Sequence, residues 1–183
     1  MLYLLGGTPR SGKSLLAREI NRKTGLPIVS TDLLRDVLMQ VDPELREAMK
    51  ATDPIREAAA FFRHLAQALL VAEIQLESCL IEGVGFLPRQ IPQLTGIVRS
   101  ELRACFVGRS AAMIEDLFHH ETEHRHYDGL SAAQKLAFAD SLRSWTKTIA
   151  SDCAESGIAF VDLAEEGFVD GLRRAEQLLL GSL

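Results

Sequence analysis

The sequence predicts an α/β protein with a doubly wound sheet of five parallel strands. Five short apolar runs, several of them ended by glycine, have the pattern of strands that are buried on both faces. Amphipathic segments with helical spacing separate the runs, and strands that alternate with helices favour a parallel sheet with right-handed crossovers. The predicted strands are Leu2–Leu5, Pro27–Ser30, Cys79–Glu82, Leu102–Val107 and Ile158–Leu163.

The helices are predicted from their start and stop residues. Gly25 and Pro27 end the first helix, and Pro54 suits the first turn of a long, alanine-rich helix. Ser131 can cap a later helix, because its hydroxyl can accept a hydrogen bond from a free N–H group of the first turn. The predicted helices are Ser14–Lys23, Leu33–Leu38, Pro54–Glu77, Ser110–Phe118, Ser131–Glu155 and Glu165–Leu180.

Two stretches depart from the simple alternation, namely a helical region at about 39–78 and a polar, histidine-rich segment at about 119–130. A doubly wound sheet binds its ligands beyond the carboxyl ends of the strands. We expect both stretches to lie at that edge of the sheet. The chain of 183 residues is then one domain spanning 1–183, with no linker or repeat.

The composition excludes several classes of protein. The chain is 47% apolar and 25% charged, as in ordinary globular proteins, and its net charge of −5 argues against a nucleic-acid partner. Its three cysteines, Cys79, Cys105 and Cys153, form neither a disulfide framework nor a metal pair, which favours a reducing, cytoplasmic setting. No apolar stretch is long enough to span a membrane, and the amino terminus lacks the features of a signal peptide.

A phosphate-binding loop follows the first predicted strand. The pattern G-x-x-x-x-G-K-S requires glycines where the chain curls, so that successive N–H groups face one anion at the start of a helix. Its lysine can reach the outer phosphates and its serine hydroxyl can ligate Mg²⁺. The candidate nucleotide-binding residues are Gly7, Thr8, Pro9, Arg10, Ser11, Gly12, Lys13, Ser14 and Leu15.

Two carboxylates follow the next strands towards the same edge. Asp32, in Ser30-Thr31-Asp32, is a candidate general base that takes the proton of an acceptor hydroxyl, or else Thr31 or Asp32 caps the following helix. Glu82 is a candidate for holding Mg²⁺ through water and for contacting the acceptor, or else a partly buried structural carboxylate.

These segments resemble the small P-loop kinases. They are most similar to the 2-phosphoglycerate kinase-like group, with adenylate, gluconate and zeta-toxin kinases as relatives. The matching segments are Gly6-Gly7-Thr8 with Gly12-Lys13-Ser14, Ile28 to Arg35, and Leu80 to Val84 with Leu87-Pro88. The resemblance covers about the first 90 residues. It implies the P-loop NTPase kinase fold with strand order 2-3-1-4-5, ATP with Mg²⁺ as the phosphoryl donor, and a mobile helical lid that carries arginine.

The resemblance also implies roles for individual residues. Lys13 and Ser14 match the phosphate and Mg²⁺ groups, and Asp32 matches the acceptor-side aspartate. Arg35, one turn further along the helix, is placed to meet an anionic acceptor. Arg125 lies where the lid arginine is expected, and Arg109 either supplies a second lid arginine or stacks on the adenine.

A competing motif lies in the polar segment. His120-Glu121-Thr122-Glu123-His124 fits H-E-x-x-H, whose histidines bind zinc when they share a helix face. The pattern has only three fixed positions and no evident third ligand, and it falls in the expected lid. We therefore interpret it as a solvated, pH-sensitive part of the lid.

The sequence as a whole predicts an ATP-dependent kinase that phosphorylates a hydroxyl of a small, anionic metabolite, of the 2-phosphoglycerate kinase type. A nucleoside-monophosphate kinase and a nucleotide-binding regulatory module without turnover are the alternatives. The expected partner is a small molecule, with neither nucleic acid nor membrane involved. Leu178-Leu179-Leu180 can be a buried helix face or a dimer contact, so monomer and homodimer both stay open.

Overall fold

The computed structural model describes residues 1–50, 53–118 and 129–181, and these residues form a five-stranded parallel sheet with helices on both faces. The strand order is β2-β3-β1-β4-β5, which confirms the order implied by the resemblance. The strands are β1 (Leu2–Gly7), β2 (Ile28–Ser30), β3 (Cys79–Glu82), β4 (Leu102–Gly108) and β5 (Ala159–Asp162).

Both faces of the sheet are covered, as the uninterrupted apolar runs predict. Leu4, paired with Ile81 and Ala104, lies in the core on one face, and Leu5 lies in the core on the other. Successive strand residues point to opposite faces, so each run supplies two cores. The helices are α1 (Lys13–Thr24), α2 (Thr31–Leu38), α3 (Pro43–Met49), α4 (Pro54–Leu76), α5 (Ile91–Thr95), α6 (Ile114–Phe118), α7 (Ala132–Ser156) and α8 (Phe168–Leu180).

Several predicted boundaries are corrected by the structure. The cap of α2 is Ser30, whose hydroxyl accepts a hydrogen bond from the Leu33 N–H, and not Thr31 or Asp32. The helix predicted from Ser110 begins only at Ile114, and the last helix begins at Phe168 rather than Glu165. The region at 39–78 holds α3 and α4, whereas most of the expected lid lies outside the described residues.

Ionic contacts fix the segments that surround the carboxyl edge of the sheet. Asp42 caps α3 and accepts hydrogen bonds from Arg63 on α4, which lower the pKa of the aspartate well below its usual range. Arg89, just after the loop that leaves β3, pairs in bidentate fashion with the buried Asp152 of α7 at 2.6–2.7 Å. The first contact joins α3 to α4, and the second anchors the segment after the β3 loop to α7.

The three cysteines are buried side chains, as predicted for Cys79 and Cys105. Burial raises the pKa of Cys105 and of Cys153 to about 12. A thiol with such a pKa has almost no reactive thiolate at neutral pH. Among the described helices, none combines the length and the apolar character that crossing a membrane would need.

Candidate active site

The phosphate loop starts with a close contact between β1 and β4. Gly7 has φ of 134°, and a Cβ at this position would lie 1.9 Å from the Val107 carbonyl oxygen. The Thr8 N–H donates to that same carbonyl at 3.2 Å. Only glycine fits such a backbone approach, so the first glycine of the motif is required for the chain to leave the strand and curl.

The loop then turns back into α1. Arg10 and Gly12 both adopt left-handed backbone conformations, with φ of 57° and 81°, and α1 begins directly after Gly12. Because glycine has no side chain to cap the helix, the first N–H groups of α1 remain available to an anion. Ser11 closes the loop from within, since its hydroxyl donates to the Thr8 carbonyl at 2.8 Å.

Lys13 is a buried lysine at the centre of the loop. The residue is only 6% exposed, and its Nζ donates a hydrogen bond to the Thr8 carbonyl oxygen at 2.6 Å. Burial lowers the pKa of Lys13 from 10.5 to about 8, although the carboxylates of Asp32 and Glu82 act in the opposite direction. The loop therefore holds a cation whose charge is poorly compensated, as a phosphate site requires.

The lowered pKa of Lys13 should couple nucleotide binding to the uptake of a proton. A bound phosphate favours the protonated lysine, so ATP binding should take up about 0.8 proton at about pH 8.5 but only about 0.1 at about pH 7. Calorimetry of ATP binding in buffers of different ionisation enthalpy measures this uptake. Lys13→Arg is the matched control, because arginine stays protonated; an equal uptake in that variant would contradict the assignment.

Ser14 and Glu82 meet at the edge of the loop. The Ser14 hydroxyl donates to Glu82 Oε2 at 3.2 Å, and the Ser30 hydroxyl also interacts with the Glu82 carboxylate. Burial raises the pKa of Glu82, while Lys13 lowers it. Hydroxyl and carboxylate oxygens are the ligands that Mg²⁺ prefers, directly or through water, so these three residues fit a magnesium site beside the phosphates.

Asp32 lies beside this cluster at the start of α2. Its Oδ1 accepts a hydrogen bond from the Val84 N–H at 3.3 Å, which joins α2 to the loop after β3. The two segments approach closely, since a Cβ on Gly83 would lie 1.9 Å from the Thr31 hydroxyl oxygen. Asp32 is near enough to alter the pKa values of both Lys13 and Glu82. The structure thus brings the predicted base to the phosphate loop.

Arg35 contacts carboxylates of its own helix. Its guanidinium is 3.6 Å from Asp32 Oδ1 and 3.4 Å from Asp36 Oδ1, and its side chain is only 18% exposed. Both contacts on Asp32, from Val84 and from Arg35, fall on Oδ1 and not on Oδ2. Asp32 is therefore oriented through Oδ1, and neither of these two contacts involves Oδ2.

Arg109 lies on the opposite side of the loop, after β4. Its guanidinium pairs with Asp116 at 2.9 Å and lies over the ring of Phe168, 5.7 Å from the centroid. Phe168 in turn packs against Gly12 of the phosphate loop. The buried Nε of Arg109 has no hydrogen-bond partner among the residues that the structure describes.

The other candidate residues fall into two groups. Thr8 is buried, Pro9 and Arg10 are half-buried, and Leu15 is 55% exposed at the outer edge of the loop. Arg125, His120 and His124 lie outside the described residues. Within 1–50, 53–118 and 129–181, no group of three or more His, Cys, Asp and Glu residues is arranged to hold a metal ion.

Sequence reasoning missed three residues of the site. Ser30 is named in the sequence analysis only as part of the Ser30-Thr31-Asp32 segment and not as a site residue, although its hydroxyl interacts with the Glu82 carboxylate. Phe168 has no local signal, because nothing at the start of α8 reveals its contact with the phosphate loop. Glu57, on the first turn of α4, is half-buried near Arg35, and only the three-dimensional packing brings it there.

The fold and the phosphate loop together have the architecture of a P-loop protein. No protein-family model matches the sequence, and no curated protein sequence is significantly similar to it. Solved structures do match over nearly the whole chain. A gluconokinase from Sinorhizobium meliloti 1021 is 21% identical with a TM-score of 0.51, and the match covers 100% of this chain and 97% of that one.

Two further structures have higher TM-scores. A shikimate kinase from Bacteroides thetaiotaomicron is 12% identical with a TM-score of 0.60, covering 98% of each chain. A sugar kinase from Janibacter sp. HTCC2649 is 15% identical with a TM-score of 0.61, covering 97% of this chain and 93% of that one. The chain therefore has the fold of the P-loop kinases that act on small molecules.

Proposed function

We propose that this protein is an ATP-dependent kinase that transfers the γ-phosphoryl group of ATP to a hydroxyl of a small metabolite. The observation that carries the proposal is the position of Asp32. Its carboxylate is held by the Val84 N–H beside the buried Lys13 and next to Glu82, so a base, a phosphate-binding cation and a magnesium-binding carboxylate share one site. The small-molecule kinases of the same fold support this reading.

The chain's own residues account for the main requirements of phosphoryl transfer. The acceptor hydroxyl oxygen forms a bond to the γ-phosphorus, the bond from that phosphorus to its bridging oxygen breaks with ADP leaving, and Asp32 takes the hydroxyl proton. Lys13 and the N–H groups at the start of α1 neutralise the phosphates. Mg²⁺, held through Ser14 and Glu82, would supply further neutralisation of the phosphate charge.

Arg109 and Phe168 would form the wall of the adenine site. A guanidinium over a ring, next to the phosphate loop, presents a flat surface of the size of a base. Arg125 would close from the lid onto the transferred group. The finer expectation from the sequence is an anionic acceptor of the 2-phosphoglycerate type, and it depends on Arg35. Glycerates are therefore included in the acceptor screen described next.

An acceptor screen tests the proposed function. Thermal shift with a non-hydrolysable ATP analogue ranks glycerates, sugars, sugar acids and nucleoside monophosphates as ligands, and ADP release then measures transfer to the best ones. Transfer to a hydroxyl compound supports the kinase. A nucleoside monophosphate as the best acceptor favours the first alternative, and ATP binding without transfer to any acceptor favours the regulatory module.

The magnesium site gives a separate prediction. Glu82→Gln keeps the shape of the side chain but removes its charge, so the Mg²⁺ concentration for half-maximal activity should rise about 10- to 100-fold. A Mg²⁺ titration of the transfer rate measures this. Glu155→Gln, on an exposed turn of α7, is the control and should match the wild type. An unchanged Mg²⁺ requirement in Glu82→Gln would remove this residue from the site.

Zinc should not be required for activity. If His120 and His124 belong to a lid rather than to a zinc site, chelator-treated protein regains its full activity when Mg²⁺ alone is restored. The measurement compares transfer rates after dialysis into Mg²⁺, into Zn²⁺ and into both. Activity that returns only with Zn²⁺ would contradict the kinase mechanism.

A further inference from the structure

The charges around Asp32 bear on the kind of acceptor that can bind. The acceptor mouth consists of Asp32, Arg35 and Asp36 on α2, Glu57 on α4, and the loop Gly83–Gly85. Glu57 lies one turn before Phe61 on the same face of α4, and the Phe61 ring packs against Gly85, 3.0 Å from where a Cβ would lie. This packing turns the Glu57 face of α4 towards the loop that holds Asp32.

The arginine of the mouth is already surrounded by carboxylates. Arg35 lies within 3.6 Å of Asp32 and 3.4 Å of Asp36, and it is close enough to Glu57 to oppose the burial that raises the pKa of that carboxyl. Three carboxylates therefore face one guanidinium. Arg35 serves first to hold Asp32, and its charge is more than balanced before any acceptor arrives.

The other cations of α2–α4 are used elsewhere. Arg46 donates to the carbonyls of Met39 and Gln40, and Arg63 pairs with Asp42 and Glu44. Arg56 lines the groove between α3 and α4, together with Glu44. In the part of these helices that the structure describes, Arg35 is thus the cation that contacts Asp32. Lys13 also lies near Asp32, but it belongs to the phosphate loop, where the phosphates of the donor would occupy it.

We propose, on the basis of the kinase function proposed above, that the acceptor is an uncharged polyhydroxyl compound rather than an anion. Carboxylates accept hydrogen bonds from hydroxyl groups, so Asp36 and Glu57 can bind hydroxyls that neighbour the one facing Asp32. Arg35 can donate to a hydroxyl oxygen without losing its contact with Asp32. An acceptor carboxylate or phosphate in the same place would meet like charges and is disfavoured.

Fractionation of a metabolite pool by charge tests this inference. A deproteinised pool of small metabolites is passed over an anion exchanger, and the unbound and bound fractions are each incubated with the full chain, Mg²⁺ and ATP labelled at the γ-phosphate. We expect the unbound fraction to accept label at least about tenfold faster, as two or three like charges at close range would dictate. Lys13→Met provides the background.

The outcomes separate this inference from the function on which it rests. Transfer mainly to the bound fraction, or equally to both, overturns the uncharged acceptor and leaves the kinase standing. Transfer to neither fraction rejects the kinase and this inference together. Transfer confined to the unbound fraction supports both when it persists after a cation exchanger has removed the cationic metabolites. Transfer that is lost with the cations overturns the uncharged acceptor and leaves the kinase standing.

Charge variants test the residues named. Glu57→Gln should lower the preference for the unbound over the bound fraction about three- to tenfold, because one repelling charge is removed. Asp36→Asn should also lower this preference. The second variant keeps the test decisive if one of the two proteins fails to fold. Glu47→Gln, an exposed carboxylate of α3 paired with Lys50, should leave the preference unchanged. An unaltered preference in both mouth variants would overturn the role of these carboxylates.

Discussion

Replacing Lys13 by methionine is expected to abolish phosphoryl transfer and, at the same time, to raise the stability of the ligand-free protein. Lowering the pKa from 10.5 to about 8 corresponds to about 3 kcal/mol of unfavourable free energy for keeping the charged lysine buried. Methionine fills the same space without charge, at the cost of about 1 kcal/mol for the hydrogen bond to Thr8. The free energy of unfolding should rise by about 2 kcal/mol, and the melting temperature by about 5 °C.

The gain in stability should depend on pH in a defined direction. Below pH 8 the buried lysine is charged and the wild type bears the full penalty. Between pH 8 and 10.5 the folded protein has lost this proton while the unfolded chain still binds it, so the wild type becomes more stable as the pH rises. The advantage of the methionine variant should therefore be constant below pH 8 and shrink above it.

Calorimetric unfolding of both proteins across this pH range is the measurement. Transfer should fall by roughly 10³ in the variant, since a preorganised cation next to the transferred group is lost. Leu33→Met, at an exposed position of α2, is the control for a methionine near the site and should change neither property strongly. A methionine variant that is less stable than the wild type at neutral pH would show that the lysine is not held against its desolvation.

How much of the site could be predicted from the sequence depends on whether the task of a residue is set by its neighbours along the chain. The phosphate loop is a contiguous pattern in which each residue has a local task, so the turn at Gly7 and the start of a helix after Gly12 could be predicted from it. The apolar runs likewise predicted five strands, although the outer strands β2 and β5 are only partly buried. Their order came with the resemblance to the kinases, because burial on both faces does not reveal which strands are neighbours.

Contacts between distant segments could not be predicted in the same way. Ser30, Thr31 and Asp32 are all good capping residues, and the sequence does not choose between them. In the structure Thr31 is buried against Gly83, in the loop after β3, and Ser30 caps α2. The packing of Phe168 on Gly12 and the approach of Glu57 to Arg35 depend on the same kind of long-range fit.

The position of Asp32 leads to the prediction that separates an enzyme from a binding module. The carboxylate has its Oδ1 fixed by Val84 and Arg35, and as a base it would accept a proton on Oδ2. Asp32→Asn keeps the size of the side chain and an oxygen that can accept from the Val84 N–H, because an amide carbonyl accepts as a carboxylate oxygen does. The amide cannot take a proton from the acceptor hydroxyl.

Asp32→Asn should therefore lower the transfer rate by roughly 10² to 10⁴, which is about 3–5 kcal/mol of activation free energy, while ATP affinity changes little. In the proposed function the nucleotide binds to the loop from Gly7 to Ser14, which the substitution leaves unchanged. Calorimetry of ATP binding and ADP release with the best acceptor are measured on the same preparation. Glu47→Gln, which removes one charge from an exposed carboxylate of α3, is the control and should retain its transfer rate. An Asp32→Asn variant with near-normal turnover would exclude Asp32 as the base, because a positioned hydroxyl would then lose its proton without it.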